Sequence, residues 1–114
     1  MSRATSEIDG PLGSFEEQVM LAVIRCGGDA YGMTVRREIE EQTEREIAIG
    51  AVYATLDRLE AKGVVLSSRK ADDGVSRRVF TVTVRGAHAL TRTRAMRERL
   101  WEGVDLRRLA VGRR

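Results

Sequence analysis

The run Ile49-Gly50-Ala51-Val52-Tyr53-Ala54-Thr55-Leu56-Asp57-Arg58-Leu59-Glu60-Ala61-Lys62-Gly63 constrains the fold more than any other part of the chain. It reads as one helix with two differently used faces. Ile49, Val52, Leu56 and Leu59 recur at the three-and-four spacing that gathers side chains on one side of a 3.6-residue turn, which predicts a core face. The remaining surface carries Gly50, Ala51, Ala54, Thr55 and Arg58, with Tyr53 at its edge. That surface is small, polar and nearly uncharged, whereas a face that meets only water is ordinarily dressed with charged side chains. A helix that keeps bulk off its outer face and retains one Thr, one Arg and one Tyr there suits close approach to a nucleic-acid groove. Gly63 supplies the usual stop.

The flanking sequence builds a frame around this helix. Residues 1–13 are polar and contain Pro11, so they read as a disordered or loosely docked arm. Ser14-Phe15-Glu16-Glu17 has capping-box spacing, with Ser14 as N-cap and Glu17 three residues on, and predicts a first helix from about Phe15. Phe15, Val19, Ala22, Val23 and Cys26 form its stripe, widened by Met20, Leu21 and Ile24, and Gly27-Gly28-Asp29 ends it. A second short helix is expected over about 33–42, with Val35 and Ile39 one turn apart. Two helices joined by so short a link, the second with a bare face, make a helix-turn-helix candidate.

Beyond Gly63, β-branched runs predict strands over about 64–70 and 77–83 around a flexible tip at 71–76. Arg69, Lys70, Arg77 and Arg78 crowd the turn end of this hairpin, and four mutually repelling cations are easiest to understand beside a polyanion. A hairpin in this position after a helix-turn-helix is a wing. Thr83 can cap a final helix running from about Val84 into the 102–109 region, with Ala89, Met96, Leu100 and Val104 along one side. At about 30–40 Å it exceeds what the rest of a small domain can cover, so part of its stripe must find another chain. Trp101 is too large to leave in water without reason.

Composition bounds the alternatives. A chain of 114 residues, 42% apolar, supports one domain with one modest core. Residues 1–68 hold seven Arg/Lys against twelve Asp/Glu, while residues 69–99 hold nine against three, a local excess that reads as the footprint of a polyanionic partner or, in its plainer form, as a solvated basic helix. One cysteine, Cys26, excludes an internal disulfide, and with the single His88 it leaves too few ligands for a structural zinc. Cys26 reads as a small core residue and His88 as a surface residue. No metal or cofactor is expected, no run is apolar enough to span a bilayer, and a cytoplasmic location is the default. An enzyme fares badly, for there is no nucleophile with a base, no phosphate loop and no carboxylate pair in an evident cleft. A protein-docking winged helix that never touches DNA, or an Arg-rich last helix lying on an anionic membrane, remain as alternatives that the bare helix face argues against.

These residues resemble the phenolic-acid-decarboxylase regulator (PadR) family of winged-helix transcription factors. The resemblance rests on Leu12-Gly13-Ser14-Phe15-Glu16-Glu17, Asp29-Ala30-Tyr31-Gly32, the 49–60 segment followed by Lys62-Gly63, and residues 77–86. It implies a mainly α fold with a small β-hairpin: an arm at 1–13, a winged helix-turn-helix at 14–83, and a dimerisation helix with a basic tail at 84–114. It further implies a homodimeric repressor on a double-stranded operator, the 49–63 helix in the major groove and the wing on the backbone. By position, Tyr31, Gly50, Ala51, Tyr53, Ala54, Thr55 and Arg58 would face DNA, with Arg69, Lys70, Arg77 and Arg78 from the wing. The first and last helices would make the dimer through Phe15, Val19, Val23, Met96, Leu100, Trp101 and Val104. Relatives sense small aromatic or lipophilic molecules, which makes Trp101 a candidate ligand contact. Tyr31 could instead pack between the first two helices, Tyr53 against the wing, and Arg58 could pair with a carboxylate on its own helix.

Overall fold

The computed structural model describes residues 10–110. The chain runs α1 (Ser14–Cys26), a 3-10 turn (Gly27–Asp29), α2 (Gly32–Thr43), α3 (Ile49–Ala61), β1 (Val65–Asp72), β2 (Val75–Val82), α4 (Val84–Trp101) and a short α5 (Arg107–Ala110). The expected arm lies mostly at 1–9, outside the described residues. Its last two residues are docked, not loose: the Leu12 N–H donates to Thr93 Oγ1 at 3.0 Å, and Gly13 is the N-cap of α1. The cap therefore sits one residue earlier than the sequence spacing suggested. Glu16 is the residue that folds back, its Oε1 accepting the Gly13 N–H at 2.9 Å, while its Oε2 takes Lys62 Nζ at 2.9 Å from the end of α3.

One core holds the first three helices against the hairpin. Val19, Met20 and Val23 of α1, Val35 and Ile39 of α2, and Val52, Leu56 and Leu59 of α3 meet Val65 and Phe80, all essentially out of water. The three-and-four spacing of α3 is thus realised, with Ile49 packed at the margin. The hairpin is longer and tighter than expected. Its antiparallel register runs from Val65↔Val82 to Asp72↔Val75, leaving a two-residue loop. Asp73 and Gly74 both take positive φ (52° and 77°), the requirement of the primed turn whose twist matches paired strands. Phe80 N–H also donates to Ala30 O at 2.8 Å, which fastens β2 to the loop before α2.

Thr83 caps α4 as expected, accepting the Gly86 N–H at 3.0 Å and donating to Gly63 O at 2.8 Å. The helix that follows has 18 residues, so it spans about 27 Å. It stops at Trp101 and does not continue through Val104, because Gly103 adopts φ 79° and Asp105 Oδ1 accepts the Arg107 N–H to start α5. Only the first part of α4 is seated, through Gly86, Ala89 and Thr93. No described helix is long and apolar enough to cross a membrane.

The seat of α4 depends on Gly86 having no side chain. A Cβ there would stand 2.2 Å from Val64 O, 2.8 Å from Val82 Cγ1 and 3.0 Å from Met20 Cε, and a backbone carbonyl cannot yield as a flexible side chain does. Gly86→Ala is expected to cost about 1–3 kcal/mol through overpacking, despite the better helix propensity of Ala. At roughly 4–8 °C per kcal/mol for a domain of this size, thermal unfolding by circular dichroism resolves it. Gly50→Ala, with nothing within 4 Å of the added carbon, serves as the control and should not lower the midpoint.

Candidate nucleic-acid interface

The free face of α3 is a stripe of Gly50, Ala54, Asp57 and Ala61, flanked by Ala51, Tyr53 and Arg58, all exposed. Thr55 does not belong to it. Three residues from Val52 and four from Leu59, it falls on the core side of the helix, 2% exposed, its hydroxyl accepting Arg58 Nη2 at 3.3 Å. Asp57 takes its place on the outer face. Sequence reasoning passed over it, although its spacing of seven from Gly50 and three from Ala54 put it on the stripe. Tyr53 is exposed on one side, and its ring covers Gly32, where an added Cβ would lie 2.3 Å from Tyr53 Cζ. Gly32 is therefore the small residue that lets the two helices of the helix-turn-helix approach. Tyr31 is half-buried, with Arg77 Cζ of the wing 4.4 Å from its ring centroid.

The strand register sets Arg69 opposite Arg78 and Lys70 opposite Arg77, and alternation along each strand sends the two pairs to opposite faces. On the face toward α3, Arg78 is fully engaged. Its Nη1 donates to Asp57 Oδ1 at 2.9 Å, its Nη2 to Glu60 Oε1, and its Nε to Ser67 Oγ at 3.2 Å, while its Cζ stands 4.8 Å from the Phe80 centroid. Glu60 in turn accepts the Ser67 hydroxyl at 2.7 Å. Arg78, expected from sequence as a DNA contact, is thus also a brace between wing and helix. On the other face, Lys70 Nζ donates to Gly28 O at 3.1 Å and Arg77 lies on Tyr31, yet both remain exposed. Arg69 is exposed on the face it shares with Arg78. Arg58 projects outward, 3.9 Å from Glu16 Oε2.

The apolar surface differs from the sequence expectation in one respect. Val19 and Val23 are consumed by the chain's own core, so they offer nothing to a second chain, and Phe15 is half-buried against that same core. The exposed apolar residues of α1 are Leu21 and Ile24, on the opposite side. At the other end of the molecule Leu100 is 70% exposed and Trp101 58%, and Val104, Leu106 and Leu109 are exposed beyond the end of α4, with Met96 half-buried. Trp101 borders an open depression of about 600 Å³ together with Ala95, Arg97 and Glu98.

Charge on this surface is coupled to folding. Hydrogen bonds from Ser67 and Arg78 hold the Glu60 carboxyl below the ordinary carboxylate range. Burial pushes Glu16 upward, but hydrogen bonds from Lys62 and the Gly13 N–H, with the nearby Lys62 and Arg58 charges, outweigh it and leave Glu16 lowered too. Groups with folded pKa values below their unfolded ones bind fewer protons when folded. Their stabilisation is present above the unfolded value near 4.5 and is lost as pH falls through the folded values. Unfolding free energy, measured by urea titration, should therefore be level above about pH 5.5 and decline below it. Arg78→Ala should flatten part of that acid limb and return Glu60 toward its ordinary pKa in a carboxyl NMR titration. An acid limb of unchanged steepness would remove the brace from the account.

A model of the transcriptional regulator PadR-like family matches residues 20–92. The transcriptional regulator Rv3488 of Mycobacterium tuberculosis is 36% identical over 72 residues, covering 63% of this chain and 66% of that protein, a little under two thirds of the relative's length. Among solved structures, RosR of H. salinarum is 25% identical, covering 88% of this chain and 86% of that one, with a TM-score of 0.65. A PadR-like transcription factor from Bacteroides fragilis shares the fold at 18% identity and TM-score 0.67, covering 88% and 91%. A PadR family transcription regulator from Clostridium difficile does so at 19% and 0.60, covering 77% and 88%.

Proposed function

The chain belongs to the PadR-like family of transcriptional regulators, and from that premise we propose that it binds an operator in double-stranded DNA as a homodimer and represses transcription. Members of this family regulate transcription and are not enzymes. The observation that carries the reading is the outer face of α3, where Gly50, Ala51, Ala54 and Ala61 leave a smooth surface beside a wing that presents Arg69, Lys70 and Arg77. Small side chains let a helix backbone sink into a major groove about 12 Å wide, and the wing's cations then meet the adjoining phosphates. Tyr31, Tyr53 and Arg58 edge that surface and are assigned to positioning on the backbone.

The dimer is proposed to use the apolar end of α4. Leu100, Trp101 and Val104, with Leu106 and Leu109 beyond them, form a surface too apolar to face water, and Leu21 and Ile24 of α1 offer a second patch for it to meet. This replaces Val19 and Val23 in the expected interface. Two-fold symmetry would place the α3 helices on an inverted repeat with half-sites about one helical turn apart.

Two measurements test the reading. The logarithm of operator affinity should fall linearly with the logarithm of salt concentration, by about 0.9 per phosphate contact. Combining Arg69→Ala with Arg77→Ala should reduce that slope by about 1 to 2 and weaken operator and random DNA alike. An unchanged slope would take the wing off the backbone. Leu100→Arg should give monomers in sedimentation and abolish specific binding, because one half-site holds too few contacts. The lone Trp101 reports the same interface, its emission shifting red as the wild-type protein is diluted. Saturable quenching of that emission by planar aromatic compounds, with DNA affinity falling in parallel, would identify the effector class. A solvent-like emission maximum at every concentration would exclude Trp101 from both roles.

A further inference from the structure

We propose that Asp57 is a specificity-determining residue that accepts a hydrogen bond from the amino group of a cytosine in each half-site, and that Arg78 positions its carboxylate for this. The proposal rests on the DNA-binding reading of α3. On that helix's outer stripe, Asp57 is the one polar side chain, standing between Ala54 and Ala61 with its side chain 61% exposed. With Thr55 turned into the core, the hydrogen-bonding groups left on the face are Asp57, Arg58 and the Tyr53 hydroxyl, and the Tyr53 ring is held against Gly32.

A carboxylate on a surface that meets a polyanion raises the binding energy unless it finds a donor. Phosphates and sugars of the DNA rails offer Asp57 no donor, whereas the floor of the major groove offers two amino groups. Adenine presents its N6 donor beside the N7 acceptor, which repels the second carboxylate oxygen. Cytosine itself presents only the N4 donor to the groove, the acceptors of its pair belonging to guanine, so a carboxylate that reaches over the cytosine side favours it over the other bases. Reach is also settled by the neighbours. Asp is short, and only a helix face built from Gly50, Ala54 and Ala61 lets the backbone come close enough for so short a side chain to touch a base edge.

Arg78 makes the carboxylate usable. Its Nη1 holds Oδ1 at 2.9 Å, and Oδ2 has no hydrogen-bond partner among the described residues, so one oxygen is anchored and the other is available. The same guanidinium partly offsets the negative charge against the phosphates. Asp57 is not needed to hold the wing, since Glu60, Ser67 and Phe80 all engage Arg78 without it.

Selection of binding sites from a random duplex library by the full-length protein tests this directly. The wild type is expected to enrich an inverted repeat with a cytosine at one fixed position of each half-site. Asp57→Ala should lose preference at that position alone, keep the rest of the motif, and bind the wild-type site about 5- to 150-fold more weakly. Asp57→Asn should move the preferred base to adenine, because an amide pairs with both N6 and N7. Arg78→Ala should relax the same position. Circular dichroism confirms that each variant is folded. An unchanged motif for Asp57→Ala, with tighter binding to specific and random DNA equally, would overturn the proposal and make Asp57 a plain repeller of phosphate. A wild type that enriches no motif would instead overturn the DNA-binding reading on which the proposal stands.

Discussion

A single guanidinium ties together the two elements that face outward from this molecule. The wing is a two-stranded hairpin, and an isolated hairpin is marginally stable in water, so its direction relative to α3 has to be imposed from outside. Phe80 and Val65 anchor its base in the core, and Arg78 braces it further out against Asp57 and Glu60. Arg suits this task because its planar fork offers donors in fixed directions, which a flexible ammonium does not. Half-exposed ion pairs of this kind contribute little to stability, and their value is geometric. The brace fixes the angle at which helix and hairpin present themselves together.

Two glycines set the remaining angles by letting backbone approach where a methyl group could not fit. Gly32 receives the Tyr53 ring at the crossing of α2 and α3, and Gly86 receives the Val64 carbonyl where α4 leaves the hairpin. The second contact has the longer reach. Because α4 buries only Gly86, Ala89 and Thr93 and is last tied to the domain by the Arg97–Glu17 pair, its end and α5 project, giving an elongated molecule of 62 × 42 × 21 Å. The projecting part carries the largest exposed apolar side chains, which is how a chain too small to bury them internally supplies a surface for another.

The basic excess of residues 69–99 divides once the chain is folded. Arg78 turns inward to carboxylates of α3, Arg97 pairs with Glu17 of α1, and Arg94 pairs with Glu98 one turn on. Lys70 and Arg77 are tethered to Gly28 and Tyr31 but stay at the surface, as does Arg69 on the other face of the hairpin. The acidic first half of the sequence is thus the internal counterpart of part of the basic second half. The net charge available to a partner is smaller and more localised than composition suggests.

The sequence alone was enough for the element order, the core face of α3, the Thr83 cap and the winged-helix architecture, because hydrophobic periodicity and capping chemistry are local and survive without knowledge of the neighbours. The tight hairpin was legible too, in the Asp73-Gly74 dipeptide, although β-branched content alone drew the strands too short. Tertiary structure decided what periodicity leaves degenerate. Spacing puts Thr55 with Val52 and Leu59 and Asp57 with Gly50 and Ala54, but that a polar Thr55 is buried to 2% rather than left at the border follows from the packing around it. Val19 and Val23 look like any apolar stripe, and whether such a stripe serves its own core or a partner depends on which elements fold over it. Arg78 is one of four similar cations in sequence; strand register turned it and Arg69 to the face toward α3, and of the two it is Arg78 that meets Asp57 and Glu60. Local chemistry determines which faces exist, whereas long-range packing determines what each face meets.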